Sequence, residues 1–148
     1  MIKTNQAMRL LLSEDNNGHN QALITDLVKS IVDKTRTIKE AVIIDEDSID
    51  ESTVNFNMLF RFVNNWTGYE VSCNEFQIEN ELSSCRDVIA FVELLKKALE
   101  KKYTDRRFKV FAFFDGGTTT VHFHVIREDE GAWLDANLEK YKNPIVST

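Results

Sequence analysis

Between residues 3 and 12, Ala7, Met8, Leu11 and Leu12 recur at helical spacing and predict a short helix. Ser13-Glu14-Asp15-Asn16-Asn17-Gly18 then reads as a polar connector. A second helix is expected from Asn20, as its cap, to about Lys34. Leu23, Leu27, Val28, Ile31 and Val32 form its apolar stripe. Strand signals follow. Ile38 to Ile44 is short and β-branched. From Thr53 to Val63, Val54, Phe56, Met58, Phe60 and Phe62 alternate with Asn55, Asn57 and Arg61, the pattern of a half-buried antiparallel strand. Asn64-Asn65-Trp66-Thr67-Gly68 reads as a hairpin connection into Tyr69, Val71 and Cys73. Phe76 and Ile78 are out of phase with that set, which implies a bulge or a chain break.

The strongest helix signal runs from Cys85 to Tyr103. Ser84 is placed to cap it, Asp87 follows three residues on, and Val88, Phe91, Val92, Leu95 and Leu99 make the buried face. Phe108–Phe114 and Thr119–Arg127 predict a β-hairpin across Asp115-Gly116-Gly117. An amphipathic segment with Trp133, Leu134, Leu138 and Tyr141 leads to Pro144. The expected order is α-α-β-β-β-α-β-β-α. That order predicts an α+β fold, an antiparallel sheet of about five strands with helices packed mainly on one face, formed by residues 1–148 as a single domain.

Composition narrows the class. With 43% hydrophobic and 28% charged residues in 148, the chain has the balance of an ordinary globular domain and not of a disordered one. No apolar run approaches the roughly 20 residues that span a bilayer, and residues 1–6 do not read as a secretory signal. A soluble cytoplasmic protein without a membrane partner is expected. Cys73 and Cys85 lack a metal-site spacing and are expected to be thiols in a reducing compartment. A net charge of −6 argues against a nucleic-acid partner, because phosphate contacts need clustered Lys and Arg.

Candidate chemistry is sparse. His122 and His124 share one face of a strand and could offer two imidazoles to a metal, but the remaining histidine, His19, lies far off in sequence. The Asp115-Gly116-Gly117-Thr118-Thr119-Thr120 loop leads into a strand, not into the helix N-terminus of a phosphate loop. Neither cysteine sits in a nucleophile elbow. No catalytic residue, no metal ligand set and no cofactor is expected.

The acidic run carries more information. Asp45, Glu46, Asp47, Asp50 and Glu51 place five carboxylates in seven residues with no cation among them, and Glu128 and Glu130 follow the last strand. Clustered like charge favours a basic partner and raises its association rate, so these seven residues are the expected partner-binding set. Trp66, Tyr69 and Trp133 are candidate aromatic anchors beside it.

Phe123-His124-Val125-Ile126-Arg127-Glu128, Glu130-Gly131, Trp133-Leu134, Leu138-Glu139-Lys140-Tyr141 and Pro144-Ile145 together resemble the tail of small immunity proteins in Firmicutes, encoded beside polymorphic toxins of the LXG class. The likeness covers about the last 40 residues. It implies a cytoplasmic antitoxin that binds the toxin domain of a cognate secreted protein, often a basic nuclease, and blocks it. It implies no catalytic residue. Two other readings stay open: a metal- or ligand-binding protein or enzyme using His122 and His124, and an adaptor or structural subunit, with a homodimer through an exposed sheet edge.

Overall fold

The sequence's short, separately capped segments assemble, in a computed structural model that describes residues 2–14, 19–82 and 84–148, into five helices around a five-stranded antiparallel sheet and a separate hairpin. In chain order these are β1 (Lys3–Thr4), α1 (Gln6–Glu14), α2 (Gln21–Asp33), β2 (Thr35–Ile38), β3 (Ala41–Ile44), α3 (Phe56–Val63), α4 (Trp66–Cys73), β4 (Phe76–Glu79), α5 (Cys85–Lys102), β5 (Phe108–Asp115), β6 (Thr118–Val125) and β7 (Ile145–Ser147). Short 3-10 turns occupy Glu51–Thr53 and Leu138–Lys140. The main sheet has the order β1-β7-β5-β6-β4, and β2 pairs with β3 alone. The α+β class with an antiparallel sheet is therefore the observed one. Among the described residues no helix is long and apolar enough to cross a membrane.

The helices form where side chains meet their orphan backbone donors. Asn20 Oδ1 accepts from Leu23 N at the start of α2, and Ser84 Oγ accepts from Asp87 N at the start of α5. The predicted α5 stripe, Val88, Phe91, Val92, Leu95 and Leu99, is wholly buried. At about 1.5–3 kcal/mol per large apolar side chain, those five residues supply on the order of 10 kcal/mol of gross transfer energy. They pack with Met8 of α1 and with Ile24, Val28 and Val32 of α2 on one sheet face, made by Phe108, Val110 and Ala112 of β5 and Val121, Phe123 and Val125 of β6. The opposite face carries Phe111 and Ile145 under Leu134 and Leu138 of the C-terminal segment. The β5–β6 turn uses Gly116 at φ 62°, a conformation costly for any residue with a Cβ.

Several expected elements differ. Thr53–Val63 is no strand: residues 51–53 form a 3-10 turn and Phe56–Val63 is α3. The alternation hid a second pattern, because Phe56, Leu59, Phe60 and Val63 also lie at i, i+3, i+4 and i+7. Asn55 Oδ1, accepting from Met58 N, decides for the helix. Residues 64–68 are no hairpin turn. Asn64 leaves the helix at φ 70° and Asn65 caps α4 by accepting from Gly68 N, so Tyr69, Val71 and Cys73 are helical. Gly68 is required there, since a Cβ would stand 2.0 Å from the Val63 carbonyl oxygen. Ile38–Ile44 is a hairpin and not one strand, turning at Lys39 with φ 50°. Phe76 and Ile78 belong to the new strand β4 after the helix break. The predicted first helix begins only at Gln6, after β1, and the C-terminal segment ends in β7, which pairs with β1 and β5. Of the polar connector 13–18, Ser13 and Glu14 belong to α1, and 15–18 lie outside the described residues.

The hairpin joins the main sheet through side chains. Glu70 of α4, fully buried, accepts from Val42 N of β3 (2.7 Å), from Val125 N of β6 (3.0 Å) and from Arg127 Nη1. One turn on, Asn74 donates to Val42 O and Phe123 O and accepts from Ile44 N. Two polar side chains thus satisfy the backbone groups that a direct β3–β6 ladder would otherwise pair.

Candidate functional site

α3 is built on one side only. Its inner stripe, Phe56, Leu59, Phe60 and Val63, packs on Ile38, Ala41 and Ile43 of the hairpin and on Trp66 and Tyr69 of α4. Ring centroids stand 5.3 Å apart for Phe56–Trp66 and 4.8 Å for Phe60–Trp66, in tilted and edge-on geometry. Lys39 Nζ lies 4.5 Å from the centre of the Phe56 ring. No α3 residue is fully buried, and its outer face presents Met58 (56% exposed) and Phe62 (79% exposed) beside Arg61. Phe62 shares a pocket of about 330 Å³ with Trp133, itself 54% exposed, which lies in the C-terminal segment. Of the three anchors expected from sequence, Tyr69 is core, Trp66 is half-buried against it, and Trp133 reaches solvent.

The seven predicted partner-binding carboxylates divide by role. Asp45 is turned inward: its carboxylate, 1% exposed, pairs with Arg36 Nε at 2.8 Å and accepts from Ile49 N, closing the loop after β3. Glu130 accepts from Trp66 N and Thr67 N and so serves the orphan donors at the start of α4. These two are internal scaffolding and not docking surface. Asp50 caps the 3-10 turn, and the Ser52 hydroxyl and amide hold its carboxyl below the usual range. Glu46 faces solvent and pairs with Lys34 at 2.9 Å. Asp47 and Glu128 are exposed, and Glu51 is partly so. Glu46, Asp47, Asp50 and Glu51 therefore remain as the solvent-reaching part of the acidic run, which leads along the chain into α3.

The histidines point away from the helix-covered core face, as their alternation with Val121, Phe123 and Val125 predicts. His122 stacks on Phe111, its cross-strand partner, at 5.0 Å. His124 is 1% exposed, Nδ1 meets the Val125 carbonyl, and Lys109, Arg127 and Glu130 are its charged neighbours. Burial is the main force against a charge on that imidazole. Among the described residues no three metal-ligating side chains converge. Cys73 and Cys85 form no disulfide, and burial pushes the Cys73 thiol up, away from thiolate reactivity.

These placements predict the titration order. Burial lowers the pKa of both His122 and His124, whereas His19, held by Gln21 at 2.7 Å and Asp87 at 3.0 Å, is raised. In an NMR titration, His19 is expected to protonate above about pH 6.5 and the other two below it. The linkage follows in sign. An unfolded chain protonates at His122 and His124 before the folded one does, so their contribution is complete above pH 6.5 and falls as pH drops through their folded values. His19 acts oppositely, stabilising at low pH and losing that contribution as pH rises through its folded value. Titration of His122 or His124 above His19 would refute this assignment.

A family model described as the Uncharacterized protein PM0498 family matches residues 3–148. Uncharacterized protein PM0498 of Pasteurella multocida (strain Pm70) is 27% identical over 142 residues, covering 90% of this chain and 89% of the relative. No solved structure matches the chain significantly.

Proposed function

The chain belongs to the Uncharacterized protein PM0498 family, and we propose that it is a binding protein without chemistry of its own, an immunity-type inhibitor that docks on a basic toxin domain. One observation carries the reading: α3, which follows the acidic loop in the chain, leaves Met58 and Phe62 in water. Large side chains held in water by a helix that buries none of its own residues mark an interaction surface, and clustered carboxylates steer a cationic partner to it. The net charge of −6 and the tail resemblance support the same reading. A cytoplasmic setting belongs to the proposal, since an inhibitor of this class protects the cell that makes the toxin.

The test is co-expression with the toxin domain encoded beside this gene, scored for growth rescue and for a co-purified complex. M58D/F62D is expected to weaken the complex at least tenfold, mostly through faster dissociation. D47K/E51K is expected to slow association several-fold at low salt and little at high salt. Growth arrest despite soluble expression, with no complex recovered, would sink the proposal for that pair.

A further inference from the structure

The 330 Å³ pocket between the end of α3, α4 and the C-terminal segment has a definite chemical character. Two exposed aromatic rings, Phe62 and Trp133, stand at it. Glu75 supplies a carboxylate and Asn64 an amide, and no Lys or Arg lines it among the described residues. His122 lies in its wall with Nδ1 buried and without a hydrogen-bond partner. Burial keeps that ring neutral near pH 7, so it adds no competing charge. The larger cleft of about 800 Å³ near Arg106, Arg107 and Arg127 offers no such contrast, because its arginines sit among Asp105, Glu128 and Asp129.

We infer that this pocket receives an arginine side chain of the partner, with the guanidinium stacked against Trp133 and Phe62 and paired with Glu75. The inference rests on the docking reading and names the anchor within it. Arginine fits better than lysine because a planar, weakly hydrated guanidinium can stack on a ring while its edge donates to a carboxylate. The exposed rings then gain an occupant that is both apolar in face and cationic in charge.

The probe is N-acetyl-arginine methylamide, titrated into the isotopically labelled full chain and compared with N-acetyl-norleucine methylamide and with matched sodium chloride. The arginine probe is expected to shift the Trp133 indole and the Gly68 and Ser72 amides saturably, with the norleucine probe at least fivefold weaker. E75Q, an exposed and isosteric change, is expected to weaken the arginine response several-fold, and W133A to abolish it. Equal responses to both probes, an unchanged response in E75Q, or no shift at those residues would overturn the inference. M58D, which lies outside the pocket, separates it from the docking reading. Loss of the toxin complex in M58D with no arginine response removes only the pocket assignment. An intact complex in M58D with a clear arginine response removes the α3 face and leaves the pocket.

Discussion

Replacing Glu70 with alanine is expected to destabilise the protein by about 3–5 kcal/mol, the range for breaking a buried charge pair by removing one partner. The carboxylate is fully buried, while Arg127 is 10% exposed and so nearly as dry. Burial raises the pKa of Glu70, and its three donors, Arg127, Val42 N and Val125 N, oppose that rise. Truncation strands all three. Each buried unpaired group costs about 1–3 kcal/mol, so the total is large against a whole-protein stability of about 5–15 kcal/mol. In urea the midpoint should fall with an unchanged slope, and the melting temperature should drop by roughly 6–20 °C. Glu70→Gln keeps the shape but turns an amide donor toward other donors, so it is expected to recover only part of the loss. Ser72→Ala, on the exposed side of the same helix, serves as the control within about 0.5 kcal/mol. A loss below about 1 kcal/mol for Glu70→Ala would show that the stranded donors find other partners.

Asn5→Ala is expected to cost about 2 kcal/mol or more. Asn5 is 1% exposed and ties the N-terminal and C-terminal segments of the chain together at the β1–β7 edge of the sheet. Its Oδ1 accepts from Met8 N at 3.0 Å, as the cap of α1, and from Ile145 N at 3.1 Å, while its Nδ2 donates to Tyr141 O and Asn143 O. A lost cap is worth about 1 kcal/mol. The stranded Ile145 amide and two carbonyls add about 1 kcal/mol or more between them, discounted for partial access to water. Asn5→Asp should not rescue, because it keeps the acceptor but presents a charge to two carbonyls. Hydrogen exchange provides the local readout: the Met8 and Ile145 amides should lose protection before the α5 amides do. Equal loss throughout would mean that Asn5 supports the whole fold and not this junction.

Where one periodicity stood alone, the sequence was legible. The α5 stripe and its Ser84 cap, the α2 cap at Asn20, and the β5–β6 hairpin all lie where spacing and turn chemistry place them. The segment 53–73 misled because two periods coexist in it. Phe56 and Phe60 satisfy both, and only Leu59 and Val63 break the tie. The signal that decides is the pair of asparagines, Asn55 and Asn65, each a side-chain acceptor for an amide three residues on. β1 and β7 were invisible because two- and three-residue strands carry no period; β7 exists through pairing with β5, β1 through pairing with β7, and Asn5 supports both. At the candidate site, composition located the acidic loop and Trp133, but exposure could not be read from it. Asp45 and Glu130 look like surface charge in sequence, yet both serve backbone donors inside the fold. Met58 and Phe62 read as core because every alternating apolar residue was assigned to one buried face.

The joint made by Glu70 and Asn74 separates the two halves of the molecule in their freedom to change. A backbone ladder fixes the angle between neighbouring strands whatever the sequence, whereas a joint made of side chains is written in two codons. The hairpin and α3 form a small cluster of their own on the far side of that joint. Side chains at 70 and 74 therefore set how the hairpin, and with it α3, is seated against β6. The seating of α3 thus depends on two side chains, while the main sheet is held by its own backbone.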